Sequence, residues 1–207
     1  MANKVLVAYA TKNWSTAEIA RTITQVLNKN GVEAEMLLVT DVVDVQSYQA
    51  VILGSPLYEG RWLKEAHRFL KHHGAALRIR PLWLFSSGPL DDSADNGSVP
   101  PVSGVQRALI RLNAREHITF GGCLRDDARG WVAQTLISSG RRGDFRNFTQ
   151  ISDWAGRIAT TLLDNTPGPS EAYATGRSTP PLRPPTVRRR LHHLLHRRPS
   201  AVVKERS

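Results

Sequence analysis

Three short stretches carry the side chains best suited to chemistry on a ligand. The first, Thr11-Lys12-Asn13-Trp14-Ser15-Thr16, places three hydroxyls and one amide within six residues. It follows an apolar run and leads into an amphipathic segment. Such a loop offers free backbone N–H groups and the positive end of a helix, and both favour a phosphate. No arginine lies nearby in sequence, so neutral hydrogen bonds would do most of the holding, with Lys12 directed to solvent. A plainer reading competes on equal terms, because Ser15-Thr16-Ala17-Glu18 has the form of a capping box.

The second stretch is Ser55-Pro56-Leu57-Tyr58-Glu59-Gly60-Arg61-Trp62. Pro56 stiffens it, Gly60 permits an unusual backbone angle, and Tyr58 and Trp62 offer faces for a flat ligand. Taken singly, each aromatic is more simply a packing residue. The third is Ser86-Ser87-Gly88-Pro89, with hydroxyls and exposed backbone amides. Each is a weak signal alone, and what joins them is position.

The elements that must hold these loops alternate along the chain. Residues 4–10 form a nearly continuous apolar run, as expected of a strand buried on both faces of a parallel sheet. Residues 15–28 carry Ile19, Ile23, Val26 and Leu27 at helical spacing, and Asn30-Gly31 supplies a stop. Further strands are expected at 32–40, 50–55, 82–87 and 117–121, with helices at 63–73, 102–113, 126–138 and 148–163. Five strands separated by helices imply a three-layer α/β fold, a parallel sheet covered on both sides with right-handed crossovers. In such sheets ligands bind beyond the carboxyl ends of the strands, where all three loops fall.

Other chemistries lack support. The single cysteine, Cys123, excludes an intramolecular disulfide and a CxxC pair, and reads as an ordinary buried thiol in a reducing cytoplasm. No GxGxxG follows the first strand and no GxxxxGK[ST] occurs. His67, His72 and His73 lack partnering carboxylates and read as surface residues. Asp91, Asp92 and Asp95 read as a solvated acidic turn. Neither an export signal nor a run of about 18 apolar residues is present.

The net charge of +10 is unevenly distributed. Residues 165–207 hold nine Lys/Arg against two Glu, together with seven of the twelve prolines. The high charge therefore belongs to this segment, and gives no reason to expect specific nucleic-acid binding by residues 1–164. The segment is expected to be disordered. Val187, Leu191, Leu194 and Leu195 lie at helical spacing among arginines, which fits contact with an anionic membrane surface.

The residues VLVAYATKNWSTAEIA (5–20) resemble the phosphate loop and helix of flavodoxins. VILGSPLYEGRWLKEA (51–66) is similar to a flavin loop in the flavodoxin-domain group that includes the menaquinone-dependent protoporphyrinogen oxidases. LFSSGPLD (84–91), FGGCL (120–124) and GDFRNFTQISDWAGRIA (143–159) resemble later segments of that group. The likeness spans about residues 3–163. It implies a doubly wound five-stranded parallel sheet of order 2-1-3-4-5 with FMN at the junction of the first and third strands, an arrangement for which flavodoxin is itself the standard example.

By matching position, the resemblance assigns the FMN phosphate to Thr11, Asn13, Ser15 and Thr16, within a loop that also contains Lys12 and Trp14. Leu57, Tyr58, Glu59 and Gly60, following Pro56, would flank the isoalloxazine ring. Ser86, Ser87 and Gly88 would meet its polar edge through backbone amides. Flavodoxin loops usually have glycine where this chain has Trp14, and a left-handed backbone there costs a non-glycine residue about 1–2 kcal/mol. The function implied is an FMN-dependent oxidoreductase or electron carrier with a redox partner or quinone, cytoplasmic or peripheral at the inner membrane face. A quinone-linked protoporphyrinogen dehydrogenase of heme biosynthesis is its narrower form. A non-catalytic scaffold with a weakened flavin site is the alternative.

Overall fold

The apolar runs pair as parallel strands. The structure, a computed structural model, describes residues 4–95, 99–140 and 142–164. Five strands, β1 (Val5–Tyr9), β2 (Ala34–Leu38), β3 (Ala50–Tyr58), β5 (Leu82–Ser87) and β6 (Glu116–Phe120), form the sheet in the order β2-β1-β3-β5-β6. Counting these parallel strands alone, this is the expected 2-1-3-4-5. The reversal of strand order falls between β1 and β3, where Tyr9 pairs with Gly54. The expectations for residues 165–207, disorder and membrane contact, lie outside the described residues.

The helices form the two outer layers. On one face α1 (Ser15–Lys29) and α6 (Phe148–Asp164) bury Ile19, Ile23, Leu27, Trp154 and Ile158 against β1 and β3. On the other, α2 (Lys64–His72) and α4 (Ser103–Leu112) bury Phe69, Leu70, Val105 and Leu112 against Leu53, Leu82 and Leu84. A four-residue helix, α3 (Gly74–Leu77), follows α2. Strand alternation sends successive side chains to opposite layers, so β1 gives Val5 and Val7 to one core and Leu6 and Ala8 to the other.

Two local expectations are corrected. The third strand does not end at Ser55 but runs to Tyr58, turns through Glu59 (φ 51°) and Gly60 (φ 70°), and returns as β4 (Arg61–Trp62). Two consecutive positive φ values mark the two-residue turn that suits a right-handed hairpin. The helix expected over 126–138 starts only at Trp131, as α5 (Trp131–Ser138). It sits between β7 (Cys123–Leu124) and β8 (Gly143–Asp144), which pair antiparallel. This excursion has its own small core of Leu124, Ala128 and Ala133.

Candidate cofactor site

The strand ends bring the loops together in one cleft. Thr11, Lys12, Asn13, Ser15, Thr16, Pro56, Leu57, Tyr58, Glu59, Ser87 and Gly88 all line it. The excursion after β6 supplies the opposite wall, through Gly122, Cys123, Leu124, Ala133 and Leu136, with Leu90 beside them. Sequence reasoning missed that wall. Its residues are mostly small and apolar, and only the chain's return over the sheet makes them neighbours of the first loop.

Trp14, Gly60 and Ser86 do not line the cleft. Trp14 adopts φ 65°, as the glycine usual at that position would allow, and its side chain is 69 % exposed. Gly60 spends its conformational freedom on the hairpin turn. Ser86 is buried below the cleft, where its Oγ accepts from Trp62 Nε1 at 2.9 Å and lies 2.8 Å from His117 Nε2. Trp62 is thus a packing residue. The Gly88 N–H donates to the Phe120 carbonyl at 3.1 Å, so it is not free to meet a ligand as expected.

The capping box is also corrected. The residue before α1 is Trp14, which makes no side-chain cap, and Ser15 Oγ instead accepts from the Cys123 N–H at 3.1 Å and lies 3.4 Å from Ser87 Oγ. Glu18 turns away to pair with Arg146 and, at 3.1 Å, with Arg125. Cations distant in sequence therefore stand beside the first turn of α1, contrary to the expectation of none nearby.

The first loop is tied to the excursion by Asn13. Its Nδ2 donates to the Tyr58 hydroxyl at 2.9 Å and to the Arg129 carbonyl at 3.3 Å, while its Oδ1 accepts from the Arg129 N–H at 2.9 Å. Lys12 is exposed, as expected, with its Nζ over the Tyr58 ring at 5.1 Å from the ring centre. Burial pushes the Tyr58 phenol up, against a smaller downward pull from Asn13. Cys123 is half-buried on the cleft wall, and burial raises its pKa, keeping it a thiol.

Two hydroxyl groups on the cleft lining have unused hydrogen-bonding capacity. Thr11 Oγ1 and Thr16 Oγ1 are both buried, and neither has a hydrogen-bond partner among the described residues. Leaving a buried hydroxyl unpaired costs about 1–3 kcal/mol. Both residues line the cleft at the start of α1, where phosphate oxygens would complete them.

Arg146 secures the far side. Its side chain is 2 % exposed, donates to Asp144 at 2.7 and 2.6 Å and also pairs with Glu18. Burial alone would lower its pKa, but the hydrogen bonds to Asp144 and Glu18 raise it. Arg146→Met is expected to cost about 2–3 kcal/mol in urea unfolding, below the 3–5 typical of a broken buried pair. Both carboxylates keep some contact with water, which accounts for the reduction.

His117 supplies a pH signature. Burial pushes its imidazole down to about 4, so the folded protein holds it neutral, hydrogen-bonded to Ser86 Oγ through Nε2. An unfolded chain binds that proton below about pH 6.5. Stability contributed by the neutral ring is therefore present above pH 6.5 and lost as pH falls towards 4. Between pH 7 and 4.5 the wild type should lose about 2–3 kcal/mol more than His117→Gln.

Comparison with known proteins places this geometry. The family described as Flavodoxin domain matches residues 6–144. The protoporphyrinogen IX dehydrogenase [quinone] of Escherichia coli K12 is 22 % identical over 160 residues, covering 73 % of this chain and 88 % of the relative. A flavodoxin from the domain Archaea overlays with a TM-score of 0.52 at 13 % identity, covering 77 % of this chain and 99 % of that one. Two-electron reduced Megasphaera elsdenii flavodoxin overlays at 0.53 and 15 % identity, covering 75 % and 98 %. The rubredoxin:oxygen oxidoreductase of Desulfovibrio gigas overlays at 0.53 and 16 % identity over 78 % of this chain, which spans only 36 % of that protein. The structural likenesses speak for the fold.

Proposed function

The chain belongs to the flavodoxin-domain family, whose cofactor is FMN, and from that premise we propose that it is an FMN-dependent oxidoreductase or electron carrier working from residues 1–164. The observation that carries this reading is the pair of buried, unpartnered hydroxyls of Thr11 and Thr16 at the start of α1. They would donate to the FMN phosphate, with the free N–H groups of the loop. Tyr58 and Leu57 would bound one side of the flavin, and the wall from Cys123 to Leu136 would exclude water from the other. FMN itself supplies the exchange of one or two electrons, and the protein's part is to hold it and set its potential.

Spectroelectrochemical titration tests this. Potentials of the FMN-loaded protein displaced from those of free FMN by tens of millivolts support it, since about 30 mV is a tenfold preference for a two-electron couple. Potentials equal to those of free FMN contradict it.

A narrower reading is a quinone-linked protoporphyrinogen dehydrogenase, favoured by the similarity to the Escherichia coli enzyme across most of its length. The basic segment 165–207 would then aid contact with an anionic leaflet, at about 1 kcal/mol for each Lys or Arg near the surface. Anaerobic oxidation of protoporphyrinogen with menaquinone tests it, and absence of turnover by FMN-loaded protein rejects it.

The left-handed Trp14 favours another reading, a scaffold with a weakened flavin site. Relieving 1–2 kcal/mol of strain corresponds to about a tenfold change in affinity when the bound state bears that strain. On this reading Trp14→Gly gains FMN binding that the native protein lacks. Tight binding by the native protein removes it.

A further inference from the structure

A second surface leads away from the cleft. Arg61, Lys64, Arg68, Lys71, Arg107 and Arg111 are all exposed on the β3–β4 hairpin, α2 and α4. None forms an ion pair with another described residue. Across residues 61–72 and 103–112 the only acidic residue is Glu65. α2 and α4 pack on the same layer, so their charges form one strip rather than two separate patches. A shallow groove runs between them, with Leu70 and Ala108 on its floor and His67, Arg107 and Arg111 at its sides.

The strip begins at the cofactor cleft. Arg61 is paired across the hairpin with Tyr58, which lines that cleft. Both helices start at the carboxyl ends of the strands and lead the charge away from the site. An anionic body seated on the strip therefore has its upper edge against the hairpin that would flank the flavin. Lines of one charge sign at a site's mouth steer oppositely charged partners and fix their orientation.

We infer that the basic face of α2 and α4 docks the acidic surface of a second electron-transfer protein. This rests on the flavin reading for the partner's redox character, while the docking itself needs only the charges and the groove. A protein partner is favoured over a bilayer by the side chains present. The strip exposes one large apolar residue, Ile110 at 74 %, and no tryptophan, tyrosine or phenylalanine to sit among lipid headgroups. The groove can receive protruding side chains, which a bilayer does not offer.

The test uses the full chain and an acidic [2Fe–2S] ferredoxin as probe, with binding measured by calorimetry with and without added FMN. Two charge-reversed variants carry the same change in net charge. One has Lys64→Glu, Arg68→Glu and Arg107→Glu on the strip, and the control has Arg21→Glu, Lys29→Glu and Arg157→Glu on α1 and α6. Circular dichroism establishes that both are folded. The strip variant should bind ferredoxin at least about tenfold more weakly and the control within about twofold, with wild-type binding weakening between about 20 and 200 mM salt.

Equal losses in both variants would overturn the proposal, since they would assign the attraction to net charge. Loss of binding to phosphatidylglycerol vesicles by the strip variant, with ferredoxin binding unchanged, would overturn it in favour of a bilayer. Docking that persists although FMN fails to bind would contradict the flavin reading alone.

Discussion

Replacing Thr11 and Thr16 together by valine is expected to weaken FMN binding by about 100- to 10,000-fold while leaving the FMN-free protein as stable as before, or more so. The two effects have one cause. Each hydroxyl is buried with no hydrogen-bond partner among the described residues, so the FMN-free protein carries the cost of an unmet group at each position. Valine keeps the shape and removes that cost. A hydrogen bond to a charged group is worth about 1.5–3 kcal/mol, and about 1.4 kcal/mol is tenfold in affinity. Isothermal titration with FMN and urea unfolding of the FMN-free protein read the two effects separately. If both fall together, the threonines support the fold and the assignment of the phosphate to this loop is wrong.

Gly54→Ala should disrupt folding, costing more than about 3 kcal/mol and leaving little native protein. A methyl group at Gly54 would lie 1.9 Å from Cζ of Phe85. The Phe85 ring is fully buried and cannot swing aside, since it packs against Phe120 at 5.9 Å and Trp154 at 6.2 Å between ring centres. Overpacking a filled core usually costs about 1–3 kcal/mol, and a contact this short, in a central strand, exceeds the usual case. Near-UV circular dichroism would report the loss of aromatic packing. Gly54→Ala combined with Phe85→Leu should recover part of the stability, because leucine withdraws the obstructing ring edge.

The sheet was legible because its signals are local. Residues 5–9 and 50–53 are apolar without interruption and become strands buried on both faces, while Ile19, Ile23 and Leu27 share one helical face and enter one core. The resemblance supplied the strand order, which neither periodicity nor spacing contains. The three loops could be located because parallel strands present all their carboxyl ends on one side.

What escaped depends on partners far along the chain. Glu18 has the spacing of a capping box, yet Arg146, 128 positions away, draws its carboxylate elsewhere. Asn13 looks like a free amide until the excursion after β6 brings the Arg129 backbone to it. Cys123 reads as a core thiol, and only that same excursion turns it towards the cleft. The hairpin at Glu59-Gly60 was missed because glutamate rarely adopts a positive φ, and tertiary contacts overrode that preference. Ser86 was placed one layer too high, since alternation along β5 directs it down to Trp62 and His117.

The central claim is that the cleft between the first loop, the β3–β4 hairpin and the excursion holds FMN by its phosphate. Fluorescence titration of the protein with FMN, repeated with riboflavin, tests it most directly. FMN fluorescence should be quenched to a one-to-one endpoint, and riboflavin, which lacks the phosphate, should bind at least about a hundredfold more weakly. Equal binding of the two flavins, or no quenching by either, would contradict the account.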